Sequence, residues 1–469
     1  MATKSKTLTE EALQSGVHGL FFPENKADAQ SVGLELEVWP LRQTKASPNE
    51  LVRFYNEEGT GLIQLLQAME GSVDGLAWEP SADGAPHFRL AGGGQLTFEP
   101  GGQLEYSGPP KTTLAEAIHD ITMVIESLRC ALKSHGIWFF HSGLNPWYTI
   151  SEVGLQIQKE RYLHMDRFFQ AKGSYGQKMM RLSTSLQINL DAGDPETAQR
   201  RWLAANLAAP VFTALFGNSP FVEGKATGAY SYRSLIWQNL DKTRTGFPKG
   251  MLAPEYHPCP VKQYFDFAMD AHVIQLPGPD GRRVFDGRFH SFRHWMENGA
   301  HGYFPDADDW SAHLSTLFPE VRARGFFEIR FLDAQSKVWC AVPGILLTHL
   351  LYDPEARETV IRLLSPYRTT LPGMAQTAAK QGLDEPELAS LSKRIFSLAL
   401  DAGAKTEDAK VMELCERFYK TYTHHRRNPA AELVRLNGGR VFTAAQYRDF
   451  ERAQVENAGD ILDFICEYS

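Results

Sequence analysis

The sequence predicts an α+β protein, with strands and helices mixed over residues 1–372 and a helical portion over 373–469. Three observations predict it. Several short segments before residue 370 alternate apolar and polar residues with a period of two, the signature of strands with one buried face. Two long apolar stripes with a helical period are bounded by capping signals. Beyond a boundary near Leu371–Gly373, stretches such as EPELASLSKRIFSLAL and EDAKVMELCERFYKTY carry helical periodicity with little strand signal.

The helices are read from their ends. Thr113 and Glu116 form a capping box, and Leu114, Ile118, Ile121, Ile125, Leu128 and Leu132 form one stripe that stops at Gly136. Asp194 is an N-cap with Pro195 in the first turn. A stripe through Trp202, Leu207, Val211 and Leu215 follows, with Gly217 as C-cap. Both read as scaffold helices.

The strands carry the chemistry. In GLELEVW, Leu34, Leu36 and Val38 oppose Glu35 and Glu37. In QLTFEPGGQLEYS, Leu96 and Phe98 oppose Gln95, Thr97 and Glu99. After the Gly101–Gly102 turn, Gln103, Glu105 and Ser107 share a face. RLSTSLQINLD reads as a strand from Arg181, with Ser183, Ser185, Gln187, Asn189 and Asp191 on its polar side. In GFFEIRFLD, Glu328 and Arg330 oppose Phe327, Ile329 and Phe331. Any one of these faces alone fits a half-solvated sheet. Together they repeat Glu, Gln, Asn, Ser and a lone Arg with almost no Lys, which is unusual for surfaces facing water.

If these faces converge, Glu35, Glu37, Glu99, Glu105 and Glu328 crowd one place, and such carboxylates cannot all ionise without cations. Hard divalent ions with oxygen ligands, Mg²⁺ first, meet that need, and with a nearby Arg they suit phosphoryl transfer. No GxxxxGK[ST] and no strand–GxGxxG–helix unit occurs, and Gly92–Gly94 reads as a loop, so nucleotide binding would rest on metals and side chains. The turn-rich stretch NSPFVEGKATGAYSYRSLIWQNLDKTRTGFP reads as a solvated loop or as a substrate clamp carrying Arg233, Trp237 and Arg244.

Composition sets the outer bounds. The 469 residues include 48 basic and 56 acidic ones, a net charge of −8, with 43% apolar and 22% charged residues. That is an ordinary globular profile and argues against a nucleic-acid-binding surface. The opening MATKSKTLTEEALQSG has no apolar h-region, and no apolar run reaches transmembrane length, so the expectation is a soluble cytoplasmic protein. Cys130, Cys259, Cys340, Cys415 and Cys466 show no metal spacing and read as buried reduced thiols. His141 and His294 sit among aromatics and read as structural.

The segments GLELEV, FEPGGQLEYSGPP, MMRLSTSLQINLD, ALFGNSPFVEGK, SYRSLIWQNLDKTRTG and FFEIR, in this order, resemble the plant- and proteobacterial-type glutamate–cysteine ligases, a family that includes the ligase opening ergothioneine synthesis. The resemblance implies a glutamine-synthetase-like fold, a curved antiparallel sheet enclosing a funnel for ATP and Mg²⁺. It implies ligation of the glutamate γ-carboxylate to the amine of cysteine through a γ-glutamyl phosphate, by a monomer or homodimer with small-molecule substrates. On the matching positions it assigns Glu35, Glu37, Glu99, Glu105 and Glu328 to metal. Gln187 and Asn189 match the family's sheet-face polar pair, and Arg233, Arg244 and Arg330 its substrate- and phosphate-facing arginines; within that set, we assign Arg330, Glu99 and Arg233 to the reaction and Gln187, Asn189, Arg244 and Trp237 to the nucleotide. Where relatives read Gly-Ala-Asp after the Glu328–Arg330 strand, this chain has Phe331, Leu332 and Asp333, a departure expected to border the pocket and bear on the acceptor amine. The sequence also admits the same chemistry with another amine, a non-catalytic binding homologue, and a glycoside hydrolase using two of the carboxylates.

Overall fold

The computed structural model describes residues 8–23, 30–81 and 84–458. Its centre is a sheet built from β1 (Val32–Arg42), β2 (Glu50–Leu51), β3 (Ala77–Trp78), β4 (Phe88–Arg89), β5 (Gln95–Phe98), β6 (Leu104–Ser107), β7 (Ile137–Phe140), β8 (Ser185–Asp191), β9 (Val321–Ala323) and β10 (Phe326–Asp333). The order is β9–β10–β8–β1–β6–β5–β4–β3, with β2 and β7 pairing the far end of β1. Every pairing in this sheet is antiparallel. The class is therefore α+β, as the alternation predicts.

Alternation decides which face is dry. Leu34, Leu36 and Val38 of β1, Leu186, Ile188 and Leu190 of β8, and Phe327 and Ile329 of β10 enter one hydrophobic core. Helix Leu114–Leu132 packs on β1 and helix Pro195–Phe216 on β10, both on this face. The expected capping box is present: Glu116 N–H donates to Thr113 Oγ1 at 3.2 Å, and Thr113 N–H to Glu116 Oε2 at 3.2 Å. Asp194 accepts from the Glu196 and Thr197 amides at 3.0 and 3.1 Å.

Helix Pro195–Phe216 departs from the expected single stripe. From Trp202 to Phe216 it is buried on every side, because helices Pro354–Leu364, Leu371–Gln381 and Pro386–Gly403 close over its back. The alanines at 204, 205, 208 and 209, all buried, let the neighbours approach closely. Gly217 caps the helix as expected, with φ −55° and ψ 125°. Its need for glycine is steric, since a Cβ there would stand 3.1 Å from the Tyr230 backbone. Residues Leu371–Gly373 open the helix that runs to Gln381, and Leu391, Ile395 and Phe418 beyond it share the core with the sheet.

Two local readings are corrected. Arg181 belongs to helix Tyr175–Leu182, and the strand begins only at Ser185; Arg181 is held there by Asp166 of helix Glu160–Gln170 and by the Ile150 carbonyl. The turn-rich stretch is a hairpin (Phe221–Val222 with Lys225–Ala226) followed by helix Tyr232–Leu240, not a solvated loop. Of the cysteines, Cys340 and Cys415 are buried, Cys130 and Cys259 are exposed, and Cys466 lies outside the described residues. His141 pairs with Glu451 and His294 with Asn298. Among the described residues no helix is long and apolar enough to cross a membrane.

Candidate active site

The polar face of the sheet floors a cavity of about 630 Å³. Register brings its residues together. Glu37 pairs opposite Glu105, and Glu105 opposite Thr97. Glu35 lies opposite Gln187, and Glu328 lies between Asn189 and Arg322. All these side chains line the cavity, joined by Glu99 just past β5, Ser185, Arg330 and Arg324. Even spacing on each strand selects the residues; antiparallel pairing aligns them in rows.

Hydrogen bonds hold the acids in place. Ser185 donates to Glu37 from its amide at 2.9 Å and its hydroxyl at 2.8 Å. Gln187 Nε2 bridges Glu37 and Glu105 at 3.5 and 3.4 Å. Thr97 Oγ1 donates to Glu105 at 2.6 Å and Asn189 Nδ2 to Glu35 at 2.7 Å. Arg330 Nη1 donates to Gln187 Oε1 at 2.7 Å and contacts Glu328 at 2.8 Å.

The electrostatics split the acids into two groups. Burial, then the charge of Glu37, raises the Glu99 carboxyl to about 7. Burial, then Glu35, Glu99 and Glu37, pushes Glu105 well above its usual range. Glu35 is raised by burial and by Glu328, and Glu37 by burial against the opposing pull of Arg233 and Ser185. Glu328 is the reverse: burial would raise it, but Arg330, Arg322 and Arg324 together hold it well below the carboxylate range. Four acids are thus short of positive charge, and one is surrounded by it.

Hydrogen bonds and arginines occupy much of the acids' ligand capacity as the side chains stand. Among the described residues, no group of three or more His, Cys, Asp or Glu side chains is arranged to hold a metal ion as it stands. Amide and hydroxyl donors from β8 occupy carboxylate oxygens, and three arginines occupy Glu328. The donor set still suits a hard divalent cation: it is all oxygen, it lacks countercharge at four acids, and Asn189 Oδ1 is buried in the same cavity wall without a partner.

The arginines and Trp237 separate. Arg330 and Trp237 line the cavity. Arg233 does not, contrary to expectation; its guanidinium lies behind, over the Trp237 ring at 4.2 Å, donating to the Arg330 carbonyl at 3.0 Å. Arg244 is not at the cavity either. It is fully buried against Asp241 at 3.1 Å and donates to the Thr316 and His272 carbonyls. The turn at Asp241 captures a neighbour three residues away before it can reach a substrate.

Other wall residues escaped the sequence reading. Arg322 and Arg324 follow the same period-two pattern in VRARG, which could have found them. Met165, Met180 and Phe318, which share one apolar cluster, and Met179 packed against it give the cavity an apolar part of its lining, gathered from separate elements with no local signature. Phe331 and Leu332 do not border the cavity as expected. The register shifts between Ile329 and Leu332, and both side chains enter the core.

Against this geometry, the sequence family described as glutamate–cysteine ligase family 2 matches residues 31–440. The chain belongs to that family. Within the curated relatives, glutamate–cysteine ligase of Nicotiana tabacum chloroplasts is 30% identical over 309 residues, covering 65% of this chain and 58% of that protein. The Brassica juncea chloroplast enzyme is 31% identical over 309 residues, covering 65% and 59%. The chain therefore spans under two thirds of the length of these relatives. A solved glutamate–cysteine ligase of Francisella tularensis shares the fold, with a TM-score of 0.52 over 95% of this chain and 90% of that one, at 13% identity.

Proposed function

We propose that this family member joins the γ-carboxylate of glutamate to the amine of cysteine at the expense of ATP. The observation that carries the reading is the pairing, in one cavity, of four half-buried carboxyls short of countercharge with the Arg330 guanidinium. Such a site suits a polyanion delivered with divalent cations. The relatives that match are named for this activity, and the Francisella enzyme of the same fold was solved with AMP.

Glu35, Glu37, Glu99, Glu105 and Glu328 would hold Mg²⁺, the first four needing positive charge most. When bound, the ions supply Lewis-acid neutralisation of the phosphates. The remaining work falls to the chain. A γ-carboxylate oxygen of glutamate attacks the γ-phosphorus of ATP, the bond to the bridging oxygen breaks, and ADP leaves. Arg330, braced by Gln187 and Glu328, presents its guanidinium to the charge spreading over the transferred group. The amine nitrogen then attacks the acyl carbon, loses a proton, and phosphate departs. The Met165, Met179, Met180 and Phe318 side keeps water from the acyl phosphate. Gln187 and Asn189 orient the nucleotide's polar end of the cavity.

Purified protein given ATP and MgCl₂ should release ADP only when glutamate and cysteine are both present, with γ-glutamylcysteine as product by mass. ADP release that needs neither amino acid defeats the reading. Product with a different amine, and none with cysteine, reassigns the acceptor.

A further inference from the structure

Asp333 ends β10, the strand that carries Glu328 and Arg330, and it is buried at 2% exposure. Its Oδ2 accepts from the Asn218 amide at 2.8 Å and from Ser219 Oγ at 2.7 Å. Its Oδ1 accepts from Ser231 Oγ at 2.9 Å. Both serines pass the constraint onward. Ser219 Oγ accepts from the Arg233 amide at 3.1 Å, and Ser231, the N-cap of helix Tyr232–Leu240, accepts from the Ser234 amide at 3.2 Å.

The clamp is fitted closely. A Cβ on Gly143 would stand 2.6 Å from Asp333 Cγ, so only glycine leaves room for the carboxylate. The buried charge faces the positive end of the helix and the Arg233 guanidinium, 3.9 Å away. Arg233 in turn stacks on Trp237 and donates to the Arg330 carbonyl, which ties the helix to the catalytic strand a second time.

We propose that Asp333 is a positioning residue: it locks helix Tyr232–Leu240 to the end of β10, and so sets where the Trp237 ring stands in the cavity relative to Arg330. The substrate it governs is the amino acid lying against Trp237. Trp237 shares one apolar cluster with Met165, Met180 and Phe318, with Met179 packed against it, and these line the cavity together as a patch suited to an uncharged side chain, whereas the carboxylates and arginines of the sheet suit phosphates. The inference rests on the ligase reading above and adds which substrate this wall serves, the acceptor cysteine.

Full-length Asp333→Asn and Ser231→Ala are the test, with kcat and KM measured for ATP, glutamate and cysteine. Asp333→Asn should raise the cysteine KM about tenfold while kcat and the ATP KM stay within about twofold; Ser231→Ala, which keeps the carboxylate, should raise the cysteine KM by about threefold. The Ser231 variant carries the test if Asp333→Asn does not fold. A fall in kcat at unchanged KM, or an unchanged cysteine KM in both variants, overturns the positioning role. A wild type without ligase activity overturns the parent reading, and this inference with it.

Discussion

Arg330 Nη1 donates to Gln187 Oε1 at 2.7 Å, across the β10–β8 pairing. That bond, with the 2.8 Å contact to Glu328, fixes a guanidinium that lies at the cavity among raised carboxyls. Arg330→Lys keeps the charge and loses the planar fork, so the bond to Gln187 and the contact to Glu328 cannot both be kept in their present geometry. Turnover should fall about a hundredfold or more with the circular dichroism unchanged. A variant with near-wild-type kcat would remove Arg330 from the reaction.

Glu99 tests the acids of the site. Its carboxyl is raised to about 7 because burial and Glu37 both disfavour its charge. Glu99→Gln should cut kcat about a hundredfold. The same change should raise the melting temperature of the metal-free protein at pH 8, because it deletes a buried like charge. Loss of activity together with loss of stability would instead mark Glu99 as part of the scaffold.

The acids also predict a pH dependence. Glu99 moves from a usual value of 4.5 to about 7 in the fold, and Glu35, Glu37 and Glu105 move in the same direction. A carboxyl raised by folding keeps protons that the unfolded chain has released. Stability therefore falls as pH rises from 4.5 through about 7, and it is recovered on acidification within that window. Metal-free protein in EDTA should melt higher at pH 6 than at pH 8. MgCl₂ should raise the melting temperature at pH 8 by more than at pH 5.5, where the ligands hold protons. Equal shifts at both pH values would show that Mg²⁺ is not held by these acids.

Gly101 makes a steric prediction. A Cβ there would lie 2.4 Å from the Arg181 carbonyl oxygen and 2.6 Å from Arg181 Cα, both backbone. Gly101→Ala must therefore push the turn between Glu99 and Gln103 away from helix Tyr175–Leu182. The expected loss is about 1–3 kcal/mol by urea denaturation, with weakened activity because Glu99 moves with the turn. An unchanged midpoint would show that the turn is free to shift.

Much of the site was legible along the chain. Glu35, Glu37 and Glu105 sit at even spacings within strands, and pleating alone places such residues on one face. Arg322 and Arg324 obeyed the same rule. Arg181 misled because its signal was compatible with two local structures, the start of a strand and the last turn of a helix. The ion pair with Asp166 holds it on the helix.

By itself, the sequence determined which side chains are polar-facing on each strand, since a period of two is a property of the extended backbone and needs no partner. The tertiary structure alone decided which of those faces meet. It set Glu37 opposite Glu105, surrounded Glu328 with three arginines, and withdrew Arg244 to Asp241 and Arg233 to the back of Trp237. Such pairings join residues far apart in the chain, and their energies depend on burial and neighbouring charge, which no local spacing encodes.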